Sequence, residues 1–283
     1  MRLAHLILAH NRPKQLERLL NRLLYPDNDI YVHLDKKTDI APFEYLKNIP
    51  NVFFITSRVS VYWGSYSIVE ATINSFKEIV DTGIDYKFIN LLSGQDYPIQ
   101  PIKKFNDYLS ENLDSIFMSY LKIETEWPEA KSRITQYHFN NYNLKGRYFL
   151  QRIINKILPD RVFPNSLIPV GRSQWFTIPL ESAKYILDYW HANKKIRKFI
   201  KLTWAPDEFI FQTILFNSKY CPKMVNDNLR LMKWAPGNTG PNLLKIDDLD
   251  LIMNSGSFFA RKFNSDLDSV ILDKIDQQLV EKN

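Results

Sequence analysis

The amino-terminal part of the chain alternates short apolar runs with amphipathic stretches, and this alternation limits the folds that the chain can adopt. Residues 3–9, 30–34, 52–55 and 86–91 are apolar runs typical of buried strands. Residues 66–80 instead repeat apolar side chains at helical spacing. Strands that alternate with helices predict an α/β fold, with a mostly parallel, Rossmann-like sheet flanked by helices.

Further helices are predicted from proline positions and apolar spacing. Asn11 stands where a residue could cap a helix whose first turn contains Pro13. Later in the chain we predict a strand over 173–178, a helix from 179 to about 190, a helix over 207–216 behind Pro206, and an amphipathic carboxyl-terminal helix. The segment 120–172 is less regular, and we interpret it as an insertion or a connecting segment.

Composition narrows the class of protein. The 283 residues carry a net charge of +6, which is compatible with nucleic acid, anionic lipid or phosphate-bearing ligands. Cys221 is the single cysteine, so an intramolecular disulfide and a cysteine-based metal cluster are both excluded. Residues 131–172 concentrate basic side chains, which form either a solvated face or a surface that faces a membrane or an acceptor. We expect a soluble or peripheral protein, because no apolar stretch reaches the roughly 18 residues of a spanning helix.

Three polar loops directly follow predicted strands. In open α/β sheets, ligands bind beyond the carboxyl ends of the strands. A nucleotide needs an acceptor for its base, partners for its ribose and some positive charge, and these loops offer all three. The residues predicted to bind such a nucleotide ligand are His10, Asn11, Arg12, Asp35, Ser93, Gly94, Gln95 and Asp96.

Two charged pairs in the carboxyl-terminal part could take part in catalysis, the acidic pair as a general base and the basic pair as a phosphate-binding site. Asp207 and Glu208 follow Pro206, where a helix would hold a carboxylate firmly and keep it ionised, although ordinary helices also begin with acids. Arg261 and Lys262 could bind phosphate or could belong to a solvated surface. The Asp-x-Asp triplets at 27–29, 248–250 and 266–268 do not follow a strand end, so we predict no metal site.

Seven segments, taken together and in order, resemble the core-2/I-branching N-acetylglucosaminyltransferase and peptide xylosyltransferase family, glycosyltransferase family 14. They cover nearly the whole chain. The segments are LAHNRP at 8–13, IYVHLDKK at 30–37, VYWG at 61–64, LLSGQDYPI at 91–99, SQW at 173–175, PDE at 206–208 and FARKF at 259–263.

This resemblance implies a single GT-A-type domain over 1–283. Residues 1–119 would form the nucleotide-sugar-binding half, 120–172 a variable basic segment, and 173–283 the acceptor and catalytic half. It also implies inversion, a UDP-sugar donor and no divalent metal or other cofactor. Glu208 matches the family's catalytic base, Lys262 its diphosphate-binding lysine and Asp35 an aspartate of its uridine pocket. The candidates for the family's second basic residue are Arg230, Lys233 and Lys245, and Arg261 could substitute for it.

The sequence departs from the vertebrate members, which carry disulfides, a stem and a membrane anchor, and we therefore expect a bacterial cytoplasmic form. It would transfer N-acetylglucosamine or xylose to a glycan or lipid-linked glycan of the cell surface, in peripheral contact with the inner face of the membrane. Trp175, Trp204 and Asp207 are the predicted acceptor contacts. The alternatives are a catalytically silent carbohydrate- or nucleotide-binding protein and a nucleic-acid binder, which lacks a recognisable module.

Overall fold

The fold is built from ten short strands within the described part of the chain. A computed structural model describes residues 1–142, 145–235, 237 and 240–281. The strands are β1 (Leu3–Ala9), β2 (Asn28–Leu34), β3 (Val52–Phe54), β4 (Phe88–Ser93), β5 (Asp96–Pro98), β6 (Ile116–Lys122), β7 (Val170–Pro179), β8 (Met224–Val225), β9 (Arg230–Met232) and β10 (Phe259–Arg261).

Within these described ranges the strands form a seven-stranded sheet and a three-stranded sheet. The larger sheet has the order β3-β2-β1-β4-β7-β6-β8, and the smaller has the order β5-β10-β9. Strands β3, β2, β1 and β4 pair in parallel, whereas β7 runs antiparallel to both β4 and β6. The predicted α/β class and the mostly parallel sheet flanked by helices are confirmed.

The helices cover both faces of the larger sheet. The α-helices are α1 (Pro13–Leu23), α2 (Tyr66–Asp81), α3 (Ile102–Glu111), α4 (Lys131–Thr135), α5 (Arg147–Ile157), α6 (Leu180–Ala192), α7 (Lys194–Ile200), α8 (Ile210–Phe216), α9 (Leu249–Met253) and α10 (Val270–Glu281). No helix in the described ranges combines the length and the apolar character that crossing a membrane requires.

Side chains of successive strand residues point to opposite faces of a sheet, and each face has its own apolar cluster. Leu6 of β1 belongs to the cluster that includes buried residues of α2, α6 and α8. Ile7, its neighbour, belongs to the other cluster, which includes buried residues of α1, α3 and α10. This three-layer packing keeps the sheet fixed, so the loops at its edge have fixed starting points.

Three local predictions were wrong. Asn11 is not the N-cap of α1, because Pro13 is the first helical residue and the cap position therefore falls on Arg12, which adopts a left-handed conformation without a side-chain capping bond. The segment 120–172 is more regular than predicted, since it contains the 11-residue helix α5. The helix predicted over 207–216 begins only at Ile210, for a reason that lies in the site.

Candidate active site

The three polar loops that follow predicted strands meet at one edge of the larger sheet. The parallel register places Ala9 of β1 beside Leu34 of β2, and Leu8 beside Ser93 of β4. Backbone hydrogen bonds continue past the strands, because the Asp35 amide donates to the Ala9 carbonyl at 2.8 Å and the Gly94 amide donates to the Leu8 carbonyl at 3.0 Å. The structure therefore brings together the predicted donor-binding residues His10, Asn11, Arg12, Asp35, Ser93, Gly94, Gln95 and Asp96.

Asp35 is a buried carboxylate at the end of β2. Its Oδ1 accepts hydrogen bonds from the backbone amides of Lys37 at 2.9 Å and Val61 at 3.3 Å. Asp35 thus joins the strand end to the loop that precedes α2. Arg12, by contrast, forms an ion pair with Asp266 at 2.6 Å, so its charge is already compensated.

Asp96 supports the site from within and does not face a ligand. It is 1% exposed, and both of its carboxylate oxygens have partners. Oδ2 accepts from the Ser93 amide at 2.9 Å, and Oδ1 accepts from the Arg261 guanidinium at 2.8 Å. The Arg261 guanidinium in turn lies over the Trp175 ring, 4.5 Å from its centroid. Asp96 therefore positions Arg261 and compensates its charge.

Lys262 is a partly buried cation beside Arg261. Burial lowers the pKa of its ammonium, and the neighbouring Arg261 charge lowers it further. Among the described residues, no carboxylate forms an ion pair with Lys262. A cation that is partly desolvated and lacks an acidic partner is suited to bind an anionic ligand.

The four candidates for a second phosphate-binding residue differ in what they contact. Arg230 is buried, and its guanidinium donates to the Leu91 carbonyl at 2.9 Å, so it holds strands together inside the protein. Lys233 forms an ion pair with Asp248 at 2.6 Å. Lys245 is exposed beside a short 3-10 turn. Arg261 alone among the four lines the cavity described next.

A cavity of about 130 Å³ brings the predicted base and the predicted acceptor contacts together. Asp207 and Glu208 line one part of it, and Arg261 lines another. The aromatic lining comes from Trp63, Trp175, Trp204 and Trp234, and the remaining residues include Gly64, Ile68, Arg133, Arg172, Ser173, Gln174, Ala205, Met232, Gly240 and Pro241. The structure therefore gathers Glu208, Asp207, Trp175 and Trp204 at one cavity.

Glu208 ends a short 3-10 turn, Pro206–Glu208, instead of lying inside the predicted α-helix. Phe209, at φ −144°, separates this turn from α8. The close approach of β7 explains the break, since a Cβ on Gly171 would lie 2.4 Å from the Glu208 carbonyl oxygen and 2.3 Å from the Phe209 Cα. Gly171 thus lets the strand pass directly against the backbone that carries the predicted base.

Arg133 is a site residue that the sequence analysis missed. Its guanidinium forms an ion pair with the Glu208 carboxylate, with Nη1 and Oε2 2.5 Å apart. It also lies between two rings, 4.7 Å from the Trp127 centroid and 4.5 Å from the Trp204 centroid. A guanidinium stacked in this way has little freedom, so it holds the Glu208 carboxylate in one orientation.

No local pattern in the sequence indicates the role of Arg133. The residue lies in the basic segment that matched no family motif, and it is 75 positions from Glu208. Arg133 lies between Ser132 and Ile134, and the exposed Arg152 of the same segment lies between Gln151 and Ile153, so the local sequences do not distinguish the two. Only the fold brings it to the base.

Asp207 is the buried neighbour of Glu208, with 4% of its surface exposed. Burial, followed by the nearby Glu208 charge, raises the pKa of this carboxyl to about 7. Its Oδ1 has no hydrogen-bond partner within the described part of the chain. The two adjacent carboxyl groups therefore have different environments, because Glu208 faces a cation and Asp207 is enclosed.

The Asp-x-Asp triplets lie apart from this cavity. Asp29 accepts from Arg2 at 2.9 Å and from Tyr86 at 2.6 Å, Asp248 pairs with Lys233, and Asp266 pairs with Arg12. Across the described residues, no group of three or more His, Cys, Asp or Glu side chains is placed to hold a metal ion. Metal independence stays a prediction.

An oriented carboxylate in an aromatic cavity that Arg261 also lines is a candidate active site. The model of the Core-2/I-Branching enzyme family matches residues 3–252. Since this match covers most of the chain, the protein belongs to that family.

Curated relatives are similar over the whole chain. Xylosyltransferase 2 of Rattus norvegicus is 25% identical over 308 residues, an alignment that covers 99% of this chain and 34% of that protein. Xylosyltransferase 1 of Rattus norvegicus is 26% identical over 302 residues and is covered over 35% of its length. The chain thus spans about a third of the length of these relatives. A solved structure of mouse xyloside xylosyltransferase 1 is 12% identical, with a TM-score of 0.40 and coverage of 91% of this chain and 97% of that one.

Proposed function

We propose that the protein is an inverting glycosyltransferase that moves a sugar, xylose or N-acetylglucosamine, from a UDP-sugar to a hydroxyl of a glycan, without a divalent metal. The observation that carries this proposal is the Glu208 carboxylate, which Arg133 holds at the cavity lined by Trp204 and Arg261. Membership of the Core-2/I-Branching enzyme family and the similarity to xylosyltransferases support glycosyl transfer as the activity.

The residues suggest a single displacement. The acceptor hydroxyl binds at the cavity and gives its proton to Glu208 while its oxygen attacks the anomeric carbon of the donor. The bond between that carbon and the β-phosphate oxygen breaks, and the electron pair leaves with UDP. Lys262, which has no ion-pair partner among the described residues, stabilises the departing diphosphate. The attack comes from the side opposite the leaving group, so the anomeric configuration inverts.

Nucleotide binding with and without EDTA tests the donor class. We expect UDP and one UDP-sugar to bind in calorimetric titrations, with the same affinity after EDTA treatment, because side chains and not a metal would hold the diphosphate. Binding that disappears with EDTA would contradict metal independence. Absence of any nucleotide binding would contradict the donor class, whereas binding of a UDP-sugar without transfer to any acceptor would favour the silent binding protein.

We further propose that α5 rests on an anionic membrane. None of its residues is buried, and its outer side exposes Phe149, Leu150, Ile153 and Ile157. Arg152 and Lys156 flank this apolar strip. Residues 130–172 carry eight Lys and Arg side chains against one acid, Asp160. A helix with exposed apolar residues and basic flanks is suited to lie in the interface of an anionic bilayer. This placement would bring the site close to a lipid-linked acceptor of surface-polysaccharide synthesis on the cytoplasmic side.

Vesicle sedimentation tests this contact. The protein is expected to sediment with vesicles that contain phosphatidylglycerol and to stay in the supernatant with phosphatidylcholine alone. Ile153→Asp should abolish sedimentation, because it places a charge inside the apolar strip. Leu251→Asp is the matched control, since it changes an exposed apolar residue of α9. Equal sedimentation of the two variants would rule out α5 as the contact surface.

A further inference from the structure

A second and larger cavity adjoins the one that contains Glu208. Its volume is about 450 Å³, which is within the range of ligand-binding pockets. Trp63 and Trp204 line both cavities, so the two are neighbours across this tryptophan pair. The rings of the pair meet edge to face, with centroids 5.9 Å apart. The rest of the lining comes from Tyr62, His138, Asn140, Arg147, Tyr148 and Gln151.

Three large aromatic side chains around this cavity are open to solvent. Trp63 is 68% exposed, Tyr148 is 55% exposed and Tyr62 is 47% exposed. Single exposed aromatics are common, but a group of them around one depression marks a binding surface. Aromatic faces pack against the apolar faces of pyranose rings, and polar groups between them can bind the ring hydroxyls. The lining combines both kinds of side chain.

The wall of this cavity that α5 provides is fixed in place. The inner side of the helix is attached to the chain before it, because Gln151 accepts from the Phe139 amide at 3.1 Å. Asn155 accepts from the Tyr137 amide at 2.8 Å and donates to the Tyr137 carbonyl at 3.0 Å. Tyr148 is therefore presented to the cavity by a helix whose position is already determined.

The opposite wall is coupled to the predicted base. Gly64 follows Trp63 and adopts φ +66°, and a Cβ on it would lie 2.6 Å from the Trp204 Nε1. The Ala205 amide donates to the Gly64 carbonyl at 2.8 Å. The loop that carries Trp63 and the turn that carries Glu208 thus pack as one unit, so a chain bound along the second cavity would be held at a fixed distance from the base.

We propose that this second cavity is an acceptor subsite for an extended glycan, which binds pyranose units beyond the one whose hydroxyl reacts at Glu208. The inference rests on the proposed function and adds a requirement for acceptor length. A monosaccharide would fill only the first cavity, whereas an oligosaccharide would extend along Trp63 and also pack against Tyr148. Chain length, and not only the reacting sugar, would then determine acceptor affinity.

Titration with oligosaccharides of one to five units tests this subsite, in the presence of saturating UDP. The probes are xylo-oligosaccharides, chito-oligosaccharides and oligogalacturonides, so that the series distinguish neutral from acidic glycans. At least one series should bind more tightly with each unit up to three or more. Trp63→Ala and Tyr148→Ala should each weaken the long members about tenfold, through loss of a stacking surface. Phe53→Ala is the control, since Phe53 is an aromatic of similar exposure that lines neither cavity.

The outcomes separate this inference from the proposed function. If UDP binds but affinity does not increase with length in any series, or no oligosaccharide binds, the subsite is wrong and the donor assignment stands. If Phe53→Ala weakens the long oligosaccharides as much as Tyr148→Ala does, the subsite is also wrong. If UDP itself does not bind, the proposed function is wrong, and the subsite inference that rests on it is wrong as well.

Discussion

Glu208→Gln is expected to lower the rate of sugar transfer about a thousandfold, which is the usual contribution of a general base. Glutamine keeps the size of the side chain, and its amide oxygen can still accept from Arg133, so the geometry of the turn is retained. What the variant loses is the ability to take a proton from the acceptor hydroxyl. Initial rates with the donor named by the nucleotide titrations measure the effect.

The control for this variant is Glu181→Gln, which removes an acid from the exposed first turn of α6. Its rate should equal that of the unchanged protein. UDP affinity should be unaltered in both variants, because Glu208 lies on the acceptor side of the proposed reaction. A Glu208→Gln rate within tenfold of the original would remove this residue from the role of base.

Lys262→Ala is expected to lower turnover by about two to three orders of magnitude, comparable to the loss of one electrostatic contact in the transition state. Arg261 cannot take over, since Asp96 already compensates its charge. Calorimetry with two ligands identifies the cause. UDP should bind more weakly to the variant, whereas uridine, which lacks the diphosphate, should bind as it does to the unchanged protein.

Lys245→Ala serves as the comparison, because Lys245 is an exposed lysine of the same part of the chain and a candidate for the second phosphate-binding residue. It should leave UDP affinity unaltered. If Lys262→Ala weakens the binding of uridine and of UDP equally, the lysine supports the structure of the sheet edge that would bind the donor and does not contact phosphate. If Lys245→Ala weakens UDP, the second phosphate-binding residue is Lys245.

Much of the fold could be predicted because its signals are local. Periodicity placed α2 to within one residue, and the apolar runs at 3–9 and 30–34 became β1 and β2. The errors have a different origin. Strand β6 was missed because it leads directly into the irregular segment, and the break before α8 depends on Gly171, which is distant in sequence from Glu208. No local pattern can report such a contact.

In the candidate site too, local sequence signals could be predicted and contacts between distant residues could not. Motif matches indicated Glu208 and Lys262. The rule that ligands bind beyond the carboxyl ends of the strands indicated the three polar loops. They could not show that Asp96 is enclosed, or that Arg133 pairs with Glu208, because both facts depend on contacts between remote segments. The aromatic cavity beside α5 was equally hidden, since an exposed tryptophan and a core tryptophan have the same letter in the sequence.

The position of β10 has a consequence for how the protein is made. Arg261 meets Asp96 across 165 positions, and Arg18 of α1 forms ion pairs with Asp273 and Asp276 of α10. A chain emerging from the ribosome can form its amino-terminal strands before β10 has been synthesised. The loops that would hold uridine therefore exist before the lysine that would hold its phosphates. A nascent chain could consequently not complete the proposed donor site until β10 and Lys262 had emerged and folded against the amino-terminal strands.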